Sequence, residues 1–199
     1  MMISGTALWY ASRATGVVSL IMLSLVAVLG IVVNRQGHLP GLPRFAVTGL
    51  HRSLSLLTVA FLGIHIAAAI ADGYVHIPWL STVVPFTSDY ERFWIGLGTV
   101  AIDLAAAVIL TSLLRGRLRP SIWRAVHWLS YASYPVAVAH SLGASKDLRS
   151  GWLLAVTMAS VFVVVTAIGY RVVDASTSVP RPHRVPLQLF RAQTTRSLR

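Results

Sequence analysis

The 199-residue chain contains no cysteine. That absence excludes a disulfide framework, a thiolate metal ligand and an iron–sulfur cluster held by this chain. Charge is scarce as well, 12% of residues against 55% hydrophobic. A soluble domain of this size needs far more polar surface, so the composition indicates an integral membrane protein, with a length suited to one small helical bundle. Acidic residues are the scarcer charges, 6 against 17 basic, and the net charge is +11. The excess does not signal nucleic-acid binding, because the basic residues fall in short loops and in the tail, as the positive-inside rule requires. The N-terminus also lacks a basic n-region. Its first apolar stretch, uncharged from Ala14 to Val33, is long for a cleaved signal and reads as a retained membrane helix.

What is present is a series of five apolar runs, Ala7–Val33, Phe45–Ala71, Arg92–Leu114, Ile122–Gly143 and Gly151–Tyr170. Polar or Gly- and Pro-rich breaks separate them. Backbone crossing a bilayer must satisfy its own hydrogen bonds, so runs of this length predict helices rather than barrel strands. The expected fold is all-α, an integral membrane bundle of five transmembrane helices. Five crossings put the termini on opposite sides. Of the 17 basic residues, 13 share one side and only Arg13, Arg92, Lys146 and Arg149 share the other. The richer side is cytoplasmic, which predicts an outside N-terminus and a cytoplasmic C-terminus. Residues 173–199 read as a basic cytoplasmic tail, disordered or lying on anionic lipid.

Two of the runs carry histidine pairs, His51/His65 and His127/His140, separated by 14 and 13 positions. At about 1.5 Å per residue each pair spans roughly 20 Å, inside a hydrocarbon core about 30 Å thick. The topology makes the second and fourth helices co-directional, so the pairs match in depth as His51–His127 near the cytoplasmic face and His65–His140 near the outer face. Ionisable residues inside membranes are costly and mark function by default. Neutral imidazole is a standard axial ligand of haem iron, whereas zinc wants more ligands than two imidazoles per level. The pattern predicts two bis-histidine b-type haems, and ligation without an open position suits electron transfer. Fourteen residues return to within about 40° of one helix face, but 13 miss it by about 140°. Pro135 lies between His127 and His140, so an irregular fourth helix is expected.

Weaker expectations attach to other residues. Arg13 is expected to meet a propionate of the outer haem, and Arg52, Arg124 and Arg44 flank the inner one. Asp103, near the middle of the third helix, is left with three roles: pairing with Arg13, bonding a ligand histidine, or relaying protons. Phe61, Tyr131 and Tyr134 lie between the haem levels and read as packing. His38, His76 and His183 read as solvated. The segment Asp72 to Glu91, with Trp79 and Phe86, is expected to form an interfacial cap over the outer haem.

Leu50-His51-Arg52, Ile64-His65, Trp123-Arg124-Ala125-Val126-His127-Trp128 and Ala139-His140-Ser141-Leu142-Gly143 resemble the ferric reductase-like transmembrane domain. That family includes the membrane parts of NADPH oxidases and iron reductases and the haem subunit of periplasmic methionine sulfoxide reductase. Trp9 to Gly16 and Pro85 to Tyr90 look like its actinobacterial branch, which implies a bacterial cytoplasmic (plasma) membrane. The resemblance implies two b-type haems in series over a domain of residues 1–172, ligated at His51, His65, His127 and His140. Many relatives have six helices, and the oxidases and iron reductases continue into a flavin and nicotinamide domain. No Gly-rich dinucleotide fingerprint follows Tyr170, so this chain is expected to be the electron-transfer subunit of an oxidoreductase with a separate donor. Candidates are a cytoplasmic flavoprotein, a flavinylated FMN-binding protein or membrane quinone. The rival expectations are a b561-like quinol-linked cytochrome and a haem-free membrane scaffold or transporter.

Overall fold

A computed structural model describes residues 2–34, 41–72, 75–145 and 150–177. The described residues are organised as six α-helices and one short 3-10 turn, with no strand among them. The helices are α1 (Met2–Asn34), α2 (Arg44–Ala71), α3 (Arg92–Leu113), α4 (Pro120–His127), α5 (Leu129–Ala144) and α6 (Gly151–Thr177); the 3-10 turn is Trp79–Thr82. Four of the helices, α1, α2, α3 and α6, contain stretches long and apolar enough to cross a membrane. Their outer surfaces carry large apolar side chains such as Phe45, Trp152 and Phe162, 70–80% exposed, as lipid-facing helices do. The chain divides into two units, 1–168 and 169–199, and only the end of α6 is described in the second.

Two differences from the sequence reading concern helix boundaries. The fourth run is two helices, not one, and the interruption is at Trp128 rather than Pro135. The Ser130 hydroxyl donates to the His127 carbonyl at 2.7 Å, and the Tyr131 N–H turns to the Trp128 carbonyl at 3.1 Å. Local hydroxyl bonding of this kind competes with the i−4 ladder and tightens the turn. Pro135 lies inside α5, which continues through it. The second difference is that α6 runs to Thr177, into the segment expected to be tail, because Val172 and Val173 prolong the apolar run. Residues 178–199, with His183, lie outside the described residues, as do His38, Lys146 and Arg149.

Two hairpins form the framework: α1 packs along α2, and α3 packs along α5. The α1–α2 pairing is antiparallel, since Ser12 meets His65 and Val26 meets His51. So is the α1–α5 pairing, since Arg13 bonds Ser145 and Ser24 bonds Tyr134. Helices α2 and α5 are therefore co-directional, as expected, and they do not pack directly on each other.

Apolar burial does not drive helix association in lipid, so close packing and interhelical hydrogen bonds carry more of the load. Leu20, Tyr134 and Val164 form the centre where α1, α5 and α6 meet, with Leu23, Ala27, Val28 and Val138 around it. Tyr134 and Ser24 share a buried hydrogen bond at 3.0 Å, and Ser133 donates to the Ala101 carbonyl at 3.3 Å. Tyr134→Phe leaves the Ser24 hydroxyl bonded to Leu20 of its own helix. We expect it to destabilise the bundle by about 0.6 kcal/mol, and by no more than about 1.7, measured by thermal unfolding in detergent.

The segment before α3 is tied to that helix. The Thr99 hydroxyl donates to the Ser81 carbonyl at 2.5 Å, Ser81 and Ser88 are buried, and the Phe86 ring fills the space beside Gly96. Trp79 is exposed.

Candidate functional site

Three of the four candidate histidines, His51, His65 and His140, share a repeated local arrangement. His65 Nδ1 donates to the Ser12 carbonyl at 2.7 Å, with the Ser12 hydroxyl at 3.4 Å. His51 Nδ1 donates to the Val26 carbonyl at 3.1 Å. His140 Nδ1 donates to the Trp94 carbonyl at 2.8 Å. A carbonyl only accepts, so each of these rings carries a proton on Nδ1, and Nε2 is the unprotonated nitrogen of the neutral ring. None of the three Nε2 atoms has a hydrogen-bond partner among the described residues.

Four residues beyond each accepting carbonyl, on the next helical turn, stands a glycine. A Cβ on Gly16 would lie 3.0 Å from the His65 ring, one on Gly30 3.3 Å from His51, and one on Gly98 2.7 Å from His140. The missing side chains are what let each imidazole reach a carbonyl that already serves the helix. Close backbone approach is the general use of glycine inside a membrane helix. The same device brings α3 onto α5, where the Trp94 ring occupies the space a Cβ on Gly143 would take.

His65 and His140 come together at one end of the bundle, with ring centres 6.4 Å apart and planes at 74°. His51 and His127 occupy the other end and make no ring contact with each other among the described residues. His127 stacks on Trp123 of its own helix, 5.0 Å between centres and 29° between planes. Trp123 is held in turn by Arg115 over its face at 4.2 Å and by the Ser112 hydroxyl at 3.4 Å. His127 Nδ1 is buried without a hydrogen-bond partner. No group of three or more His, Cys, Asp or Glu side chains able to hold a bare metal ion occurs among the described residues.

The other expected residues are distributed as follows. Arg13 lies at the His65 end, with its guanidinium 4.1 Å from the Trp9 ring centre and donating to Ser145 Oγ at 2.5 Å. Arg44, Arg52 and Arg124 are exposed at the His51/His127 end. Asp103 is exposed on α3 and bonds neither Arg13 nor a histidine among the described residues. Two of its three expected roles are thereby removed. Tyr134 is a packing residue through Ser24, and Tyr131 leans on Trp128 at 5.0 Å. His76 is exposed.

Sequence reasoning missed the three glycines. The signal was present: Gly16 and Gly30 are 14 positions apart, the same interval as His51 and His65. Antiparallel helices with equal intervals bring both pairs into register at once.

The profile of the ferric reductase like transmembrane component family matches residues 15–138. The match covers more than half of the chain, includes His51, His65 and His127, and stops just before His140. No curated protein and no solved structure matches the chain. With four helices fit to cross a bilayer and a family match of this extent, the chain is a multi-pass membrane protein, and it belongs to the ferric reductase like transmembrane component family.

Proposed function

We propose that the chain is a two-haem cytochrome b that carries electrons across the cytoplasmic membrane of a bacterium. The family generally binds haem and works with a redox partner. In this reading His65 and His140 hold the outer haem, and His51 and His127 the inner one.

The observation that carries the reading is the His65–His140 pair. The rings come from co-directional helices that do not pack on each other, and their centres are 6.4 Å apart. Two imidazoles bonded in line to one metal at about 2.0–2.1 Å each have centres roughly 6 Å apart. Both Nδ1 atoms are tied back to carbonyls, which fixes the tautomer and leaves Nε2 as the donor nitrogen. Two imidazoles per level, without a third ligand, suit axial ligation rather than a zinc site. A haem so held supplies reversible one-electron chemistry at its iron.

The protein's own contribution is position and insulation. In this reading two imidazole pairs stand at two depths, the outer one supported by the meeting of His65 with His140. Arg13 would meet an outer propionate, with Arg52 and Arg124 serving the inner one. With the N-terminus outside and the C-terminus cytoplasmic, outward passage of an electron is favoured by about 2.3 kcal/mol per 100 mV of inside-negative potential. The donor would be a cytoplasmic flavoprotein, a flavinylated FMN-binding protein or quinol, and the acceptor would be on the outer side.

Purified protein is expected to give a pyridine hemochrome of two b haems per chain. Fewer than two counts against the reading, and a colourless preparation replaces it with a haem-free scaffold. Full reduction by quinol analogues without a flavoprotein would identify quinol as the donor.

A further inference from the structure

His51, His65 and His140 are each held by a carbonyl on a neighbouring helix. His127 is not: its Nδ1 is buried without a hydrogen-bond partner. The outer torsion of a histidine side chain is broad and roughly two-fold, so an imidazole without such a bond has little of its own to hold its plane. What lies against it is the Trp123 ring, one turn earlier on α4, with centres 5.0 Å apart and planes at 29°. An offset stack is among the favoured arrangements of two π rings. Trp123 is fixed in turn from outside α4. Its indole N–H donates to the Ser112 hydroxyl at 3.4 Å, and the Arg115 guanidinium stands 4.2 Å from its ring centre. Both partners come from one short stretch, the last turn of α3 and the turn that follows it, whereas α4 itself ends at His127. The stack therefore ties the end of α3 to an imidazole at the terminus of a short helix, just before the break at Trp128.

We infer that Trp123 is a positioning residue for His127: its ring takes the place of the backbone carbonyl that orients the other three histidines, and Ser112 and Arg115 hold that ring against α3. This rests on the proposed ligation of the inner haem by His51 and His127. Supporting contacts that fix the orientation of a ligating imidazole are worth roughly 10–100-fold in affinity for the metal. A stack restrains the plane of the ring but adds no basicity through Nδ1, so it is the weaker form of support. His127 is accordingly the more easily released of the two inner ligands, and Trp123 is what keeps it in place.

The test uses the full-length protein in detergent, as wild type, Trp123→Phe, Trp123→Leu, and Ser112→Ala combined with Arg115→Gln. The inner haem is the one that His51→Ala removes. Trp123→Leu keeps an apolar side chain but no ring. Its inner haem should bind about tenfold more weakly, the low end of the range for a supporting contact. Its ferrous form should also take up carbon monoxide, which needs an open position at the iron. The outer haem should keep its affinity and stay closed to carbon monoxide. Trp123→Phe retains a ring and should behave as wild type in both readouts. The double variant leaves Trp123 in place but unheld, and its inner haem should take up carbon monoxide to an intermediate extent. If Trp123→Leu does not accumulate, the double variant decides by the same readout. Three results overturn the inference: no gain in carbon monoxide uptake in Trp123→Leu, an equal gain in Trp123→Phe, or equal weakening of both haems, which marks a general loss of packing. A wild type with fewer than two haems overturns the proposed function itself, and is seen before any variant is made.

Discussion

His140→Ala is expected to yield a protein with one b haem instead of two. His65→Ala should lose the same haem, and the double variant should be no worse than either single one. The reasoning is geometric. The two ring centres lie 6.4 Å apart, with planes at 74°, on helices that share no extended packing, so each imidazole is expected to be the ligand its helix offers at that level. Losing a direct ligand costs more than the roughly 10–100-fold in affinity that follows loss of a supporting hydrogen bond. Haem per chain by pyridine hemochrome reads the first effect. Electron transfer across liposomes, from an internal reductant to an external acceptor, reads the second, and should fall more than about a hundredfold because one of two relay points is gone. His51→Ala and His127→Ala should remove the other haem. The spectra of the two classes should sum to that of wild type. Loss of different haems from His65→Ala and His140→Ala would refute the pairing.

The glycine seats give the second large effect. In an ordinary helix interior Gly→Ala stabilises by about 0.5–1 kcal/mol. At Gly98 the new methyl would lie 2.7 Å from His140, at Gly16 3.0 Å from His65 and at Gly30 3.3 Å from His51. Overpacking typically costs about 1–3 kcal/mol, and here the ring displaced is the proposed ligand, whose bond to the Trp94 carbonyl is broken as well. Gly98→Ala should therefore reduce outer haem affinity by about 10–100-fold. Gly16→Ala should do the same more mildly, and Gly30→Ala should leave the inner haem in place. The ranking separates this account from a general loss of stability, which would not sort by histidine distance. Haem titration of the apoproteins measures it. Retention of both haems by Gly98→Ala at wild-type affinity would show that the close seat is not required.

Much of this was legible in the chain. Apolar runs of more than twenty residues predict helix, and α1, α2 and α3 fall within a few residues of the expected bounds. The depth match needed only topology and the helical rise; α2 and α5 are co-directional as it requires, and His65 meets His140, whereas His127 stacks on Trp123 instead of meeting His51. What was not legible depended on contacts between helices. The irregularity needed to bring residues 13 apart into line was assigned to Pro135, the residue with a known reputation. It arises instead at Ser130, whose hydroxyl diverts one carbonyl and retimes the helix at Trp128. The roles of Gly16, Gly30 and Gly98 depend on what lies opposite them, which composition and periodicity do not reveal.

Because α2 and α5 share no extended packing, the distance between the two rows of imidazoles is set by intermediaries, and α1 is an element that packs on both. It acts as a jig. One edge carries the Gly16 and Gly30 seats for α2, and Arg13 and Ser24 on the same rod fasten α5 at matching heights. Each added residue would swing everything beyond it through about 100°. Between Ser12 and Gly30 the chain is thus free to vary in composition at lipid-facing positions, yet its length there is fixed like the pitch of a screw.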